Sequence, residues 1–298
     1  MTETPLTHSD FLRTLPAETR AALTQRSARA GLWHLAGHGG LILLIGALIA
    51  MKVPGWWALL PVQGVLIVFL FTLEHECTHK TPFASDVLCD RVGSVCGALI
   101  LNPFQWFRYF HLAHHRHTNT PGDPEIAYPK PQTRADWIKH VSGLPLWLAS
   151  GQLILRLALG RERPAYLPDR ARPRAEREAR ILLAVYALAA LSFLWTDLLL
   201  WVWIVPILLG QPFLRLYLLA EHGDCPQVAD MFLNTRTTFT NAVVRFLAWN
   251  MPYHVEHHTF PSVPFDKLPA LHRLMRDHLG VTADGYVAFS RAYLARHR

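Results

Sequence analysis

Val65-Leu-Ile-Val-Phe-Leu-Phe-Thr-Leu-Glu-His75-Glu-Cys-Thr-His79 carries an apolar run straight into two histidines four residues apart. The run begins near Trp56, so residues 56–74 approach the roughly 20 apolar residues that cross a bilayer. Positions four apart share one face of a helix. Imidazole is the commonest metal ligand near neutral pH. A membrane helix ending in paired imidazoles predicts a metal site at a membrane surface.

Working outward, residues 31–51 form a second apolar segment, joined to the first by the turn Lys52-Val-Pro-Gly55. The two predict a transmembrane hairpin. Residues 181–196 and 198–219 predict another, turning at Thr196 and Asp197. Residues 87–107 are apolar but broken by Asp90, Arg91, Asn102 and Pro103, which fits an interfacial helix. Residues 118–139, with Pro121, Pro124, Pro129 and Pro131, read as loop, and 142–160 as a helix along the membrane surface. Residues 1–30 predict a cytosolic arm whose short helix is interrupted at Pro16. Leu268 to Leu279 is amphipathic. The expected fold is an all-α integral membrane protein: four transmembrane helices in two hairpins (31–51, 56–74, 181–196, 198–219). A cytosolic helical cap (75–180 and 220–298) carries the metal site, so residues 31–298 form a single domain.

Composition agrees. Hydrophobic residues make up 51% of the chain and charged residues 17%, below the roughly 25% charged of soluble domains. Ten tryptophans suit membrane–water interfaces. Net charge is +7, from 24 Arg and 5 Lys against 22 acids. No basic run is interleaved with aromatics, so nucleic-acid binding is not expected. Seven arginines and three prolines fall within Arg161 to Arg180, which reads as a solvated linker near anionic lipid or a docking patch for an acidic electron donor. The four cysteines contain no CxxC pair, so a zinc ribbon or rubredoxin-type iron centre is not expected and reduced thiols are. No signal peptide is read at the N-terminus. With four spans, both termini, the basic linker and every histidine group fall on one side, expected to be cytoplasmic; the Arg-rich composition hints at a bacterial inner membrane.

Ten of the seventeen histidines fall into four groups. Box one is His75 and His79; box two is His111, His114, His115 and the flanking His117; His222 stands alone; box three is His254, His257 and His258. Box one also matches HExxH, in which two histidines hold zinc and Glu76 would be the general base of a protease. That reading leaves both HxxHH groups unexplained. His75, His79, His111, His114, His115, His222, His254, His257 and His258 offer nine nitrogen donors, whereas one tetrahedral zinc takes four. Nine suit two metals with open positions, and the ligand type suits iron, copper or zinc. Redox chemistry fits such a cationic pair better than hydrolysis. A metal transporter would place polar ligands inside the spans, where the second to fourth carry almost none.

These boxes, their order and their place after a membrane hairpin resemble the membrane-bound fatty acid desaturase family, bacterial type. The resemblance extends to Phe107-Arg-Tyr-Phe-His-Leu-Ala-His-His-Arg-His-Thr-Asn119, Asp123-Pro-Glu125 and Trp249-Asn-Met-Pro-Tyr-His-Val-Glu-His-His-Thr-Phe-Pro261, and spans about residues 35–275. It implies two iron ions held by the nine histidines, with His222 as the isolated ligand and His117 outside the set. It also implies dioxygen as co-substrate, an aliphatic chain as substrate, and a separate ferredoxin- or cytochrome-like electron donor. The product is an alkene, or an alcohol or ketone if the site acts as a hydroxylase or ketolase on a lipid or carotenoid. In the family an Asn one turn before the isolated histidine can hold a water; here that position is Leu218. Residues near enough to orient the ligands through their other N–H are Glu74, Glu76, His117, Asp123, Glu221, Asn250, Tyr253 and Glu256. Arg108 and Arg116 are candidates for a headgroup contact or a structural ion pair. His34 and His38, one turn apart in the first span, are expected to face the protein interior.

Overall fold

The computed structural model describes residues 6–297, which are mostly helical. The first five residues of the expected arm lie outside them. In the arm, Pro16 separates two helices, α1 (His8–Thr14) and α2 (Ala17–Thr24), rather than kinking one. Proline lacks an N–H and fits the start of a helix better than its middle.

α3 (Ala28–Ala50) follows, capped by the Ser27 hydroxyl. A left-handed Gly55 then turns the chain into a helical stretch, Trp56–His79, made of one 3-10 turn, α4 (Leu60–Val68) and α5 (Leu70–His79). The helix continues through box one instead of ending before it, and stops at Lys80 in the left-handed region (φ 63). α6 (Asp86–Ile100) and α7 (Phe104–His117) meet at a bend of 100°. Leu101 is left-handed there (φ 59), and Asn102-Pro103 follows. Proline disfavours helix in the residue before it. The expected interfacial helix is therefore two helices, the second carrying box two.

The segment expected as loop to residue 139 turns helical earlier, in α8 (Arg134–Ser142), because Thr133 caps it. α9 (Leu144–Ala158) follows at a bend of 54°. α10 (Arg172–Ser192) begins inside the arginine-rich linker, with Pro173 in its first turn, where the missing N–H costs nothing. It ends at Ser192, short of the expected limit of 196. A π-helical turn (Leu200–Ile204) leads into α11 (Val205–His222), whose last residue is the isolated histidine.

Among the described residues, three stretches are long and apolar enough to cross a membrane: Ala17–Ala50, Trp56–His79 and Leu200–His222; counting the two bent pairs raises this to five. α4 and α11 cross with backbone against backbone. A Cβ on Gly64 would lie 2.0 Å from the Pro206 carbonyl oxygen, and one on Gly210 would lie 2.3 Å from the Gly64 carbonyl carbon. Small residues at such crossings let helices in lipid approach closely. Because α4 runs into α5 and α11 ends at His222, this crossing fixes box one against the isolated histidine.

The remainder forms short helices α12 (Met231–Asn234), α13 (Ala242–Leu247), α14 (His254–Thr259), α15 (Leu268–Met275) and α16 (Tyr286–Arg296). A parallel pair of two-residue strands, β1 (Thr237–Thr238) and β2 (Thr282–Ala283), ties them together. The largest hydrophobic core joins residues of the arm, the spans and box three, including Phe11, Leu73, Trp249, Val255 and Met275.

Candidate metal centre

α5, α7, α11 and α14 converge, and the nine predicted histidines meet there. His75, His79, His111, His115 and His257 form one group of possible ligands, and His114, His222 and His258 another. His254 stands beside the second group, its Nε2 3.2 Å from that of His222 and its ring 4.6 Å from that of His258. The groups adjoin: the rings of His115 and His258 stack at 4.1 Å.

The helical phase makes this partition. In box two the i and i+4 residues, His111 and His115, enter the first group, and the i+3 residue His114 enters the second. In box three the assignment is reversed: His257, at i+3, joins the first group, and His254 and His258 sit with the second. Each HxxHH box therefore serves both groups.

Imidazole nitrogens aim at one another. Nε2 atoms face across 2.9 Å between His79 and His111, 3.1 Å between His115 and His257, and 3.2 Å between His114 and His222. Both ring nitrogens of His75, Nδ1 of His115, His254 and His257, and Nε2 of His258 are buried without a hydrogen-bond partner. Buried polar atoms are normally satisfied. Nine converging imidazoles, several with unpartnered nitrogens, fit two metal ions better than they fit a hydrogen-bonded core. Burial first, and neighbouring imidazoles second, push His254, His257 and His258 well below the usual histidine range. They are neutral at pH 7, as a ligand must be.

Several far-side nitrogens are held. Asp123 accepts from Nδ1 of His114 at 3.0 Å. The same carboxylate accepts the backbone N–H of Asn119 and Glu125. Burial works to raise the Asp123 pKa, but the hydrogen bond and charge of His114, with those two N–H donors, hold it below its ordinary value. The Asn234 carbonyl oxygen lies 3.2 Å from Nδ1 of His222, and the Thr118 hydroxyl 3.2 Å from Nδ1 of His258. Glu221 lies 3.5 Å from Nδ1 of His254, and Glu76 3.8 Å from Nδ1 of His257.

Other sequence candidates sit elsewhere. Glu256 is fully buried but turns away, accepting from the Thr237 hydroxyl at 2.5 Å and pairing with His272. Its helix points it between α15 and β1. Asn250 donates to the Phe265 carbonyl at 3.0 Å, and Tyr253 packs on His272. The His117 ring lies over Gly122, outside both groups. Glu74 accepts from Asn102, and Arg108 pairs with Asp90. Arg116 is exposed. His38 is buried, hydrogen-bonded to the Leu66 carbonyl and the Trp249 indole, and His34 to the Phe246 carbonyl. Glu76 has its Oε2 occupied by the Thr81 hydroxyl at 2.8 Å and the Phe265 N–H at 3.1 Å, which suits a structural carboxylate better than a protease base. Thr118, Asn234 and Lys130, whose ammonium donates to the His222 carbonyl, escaped the sequence reading. Thr118 borders box two and was open to notice; Asn234 carries no local signal.

A family model described as fatty acid desaturase matches residues 54–290. The chain is 23% identical to the chloroplastic omega-6 fatty acid desaturase of Brassica napus, over 92% of its own length and 65% of that protein. It is 22% identical to the Glycine max protein of the same description, over 79% of its length and 60% of that one. Over 36% of its length it is 31% identical to the Delta(12)-acyl-lipid-desaturase of Punica granatum, covering 27% of that protein. The chain thus spans between about a quarter and two-thirds of these relatives.

Proposed function

The chain belongs to the fatty acid desaturase family, and on that premise we propose that it desaturates the aliphatic chain of an acyl lipid at a two-iron site, with dioxygen as co-substrate. One observation carries this reading: nine imidazoles, buried or half-buried, eight in two adjoining groups and His254 beside the second, where helices long enough to cross a membrane end. An iron pair there would supply the oxidising chemistry for an unactivated C–H bond.

The chain's own residues supply the rest. The imidazoles aim ring nitrogens inward at one another. Asp123, the Asn234 carbonyl and the Thr118 hydroxyl fix the orientation of His114, His222 and His258 from behind. The site residues are the nine histidines as ligands, with Asp123, Glu76 and Glu221 as the carboxylates beside them. Leu218, one turn before His222, is apolar and packed against the main core, so it offers no hydrogen bond to a water. The apolar helices exclude water and would hold the acyl chain at one register, which decides which C–H reacts. Electrons come from a separate ferredoxin- or cytochrome-like protein.

The arrangement we favour has four spans in two hairpins, α10 giving the third, with residues 31–298 as one domain. Both termini and the metal centre then face the cytoplasm, and the inner membrane of a bacterium is the proposed location. The positive-inside bias of Arg161 to Arg180 supports this orientation. Metal analysis of purified protein tests the chemistry. Two irons per chain are expected; one zinc and no iron would overturn it. Lipid profiles of cells with and without the protein test the substrate: the double bond should vanish from the acyl fraction, while loss of an alcohol or ketone would assign hydroxylation.

A further inference from the structure

We propose that the seam between α8, α9 and α11 is a subsite for the oxyanionic head of a lipid, carboxylate or phosphate, with Arg215 as its cation. It deepens the desaturase reading and rests on it for the claim that this lipid is the substrate.

α8 lies along α11 in opposite direction. Trp137 packs by Leu219 and Ala220, His140 meets Arg215, and Gly143 meets Gln211. The Arg215 Nη2 is 3.2 Å and 3.3 Å from the two ring nitrogens of His140. Among the described residues no carboxylate pairs with Arg215; Glu125 and Glu221 act on it only from farther away. A cation in an apolar helix without a carboxylate is a functional candidate by its cost alone.

Neighbouring donors lack acceptors altogether. Gln211 is 2% exposed and its Nε2 has no partner. The indole N–H groups of Trp137 and Trp147 are buried and unpartnered too. The seam therefore offers a guanidinium whose recorded acceptor is the His140 ring, not a carboxylate, and three N–H donors with no acceptor, a match for a group that only accepts. α9 exposes Leu144, Leu148, Leu155 and Leu159 beside it, so the occupant suited to this place has an apolar tail. Gly143 is required: it is left-handed (φ 71), and a Cβ there would lie 2.3 Å from the Gln211 Cγ. Arg215 and His222 share one face of α11, seven residues or about 10 Å apart along the axis. A head held at Arg215 would set how far from it the reacting carbon lies.

The test titrates the full-length protein in neutral-lipid nanodiscs with oleate, dioleoylphosphatidate, dioleoylglycerol and inorganic phosphate, reading tryptophan fluorescence and the melting midpoint. Oleate or phosphatidate should bind saturably and raise the midpoint, and the two arms identify the head. Arg215→Ala should weaken that binding about tenfold or more, as loss of a charge-assisted pair does; Arg215→Lys should keep part of it. If Arg215→Ala does not fold, Gln211→Leu decides. It should raise the midpoint without lipid, since it removes an unsatisfied donor, and shrink the rise that lipid produces. Equal affinity in wild type and Arg215→Ala, dioleoylglycerol binding as tightly as the acids, or free phosphate binding as tightly as phosphatidate would each overturn the subsite. Binding is read without turnover, so missing product with intact lipid binding counts against the desaturase reading alone.

Discussion

Asp123 holds the Nδ1 side of His114, and that bond leaves Nε2 directed at His222. Asp123→Asn keeps the shape and removes the charge, so metal affinity should fall about 10- to 100-fold, the usual effect of losing a partner behind a ligand. His117→Ala should leave metal content unchanged, because that ring lies outside both groups. His115→Ala or His257→Ala should lose iron, measured per chain after purification. The pH dependence follows from burial. His254, His257 and His258 have folded pKa values well below the ordinary one, so near pH 6 the unfolded chain binds more protons than the folded chain. Stability is complete above about 6.5, the unfolded value, and is lost as pH falls below it. Protons compete with metal in the same direction. Melting midpoint and metal content should both decline from pH 7 to 5; a flat profile would count against neutral ligands. Eight of the nine clustered histidines were legible from spacing, because i, i+3 and i+4 positions are a local property of a helix; the lone His222 has no such neighbour and was placed by the family resemblance. Asn234 and the outward turn of Glu256 were not, since both depend on what packs against the helix rather than on the helix.

Two devices position these helices, and neither is written in the boxes. Trp249 and Asn250 adopt consecutive left-handed conformations (φ 49 and 57) just before α14. An aromatic residue rarely does this, and each such residue costs roughly 1–2 kcal/mol. The turn is kept by the His38–Trp249 hydrogen bond and the burial of the indole. Asn250→Val should lower stability by about 1–2 kcal/mol and loosen box three, whereas Asn250→Gly should be tolerated; thermal melting checks both. The second device is the α4–α11 crossing at Gly64 and Gly210. Gly210→Leu should separate the helices, shift His222 from box one and lower metal content even where the protein still folds. Apolar runs told where α3, α4 with α5, and α11 lie. The 100° bend between α6 and α7 was hidden, because Asn102-Pro103 marks a break without giving its angle. The helical start of α10 was hidden by its arginines, which resemble a linker until Pro173 is seen as a first-turn residue.

Across the whole chain, the proposed four spans make a topological prediction. Single cysteines at Thr196 and at Arg170, in a background without the native thiols, should be labelled from opposite sides of the membrane. Labelling of both from one side would require a different path for α10. The reciprocal sharing of boxes two and three has a consequence for biosynthesis. Because each group takes residues from both boxes, the first group of histidines is incomplete until residue 257 has been made and the second until residue 258. A stalled or truncated chain would present scattered imidazoles and no finished site. On the proposed reading, metal can enter only after box three has been made, so metal content in the cell reports chains translated past residue 258.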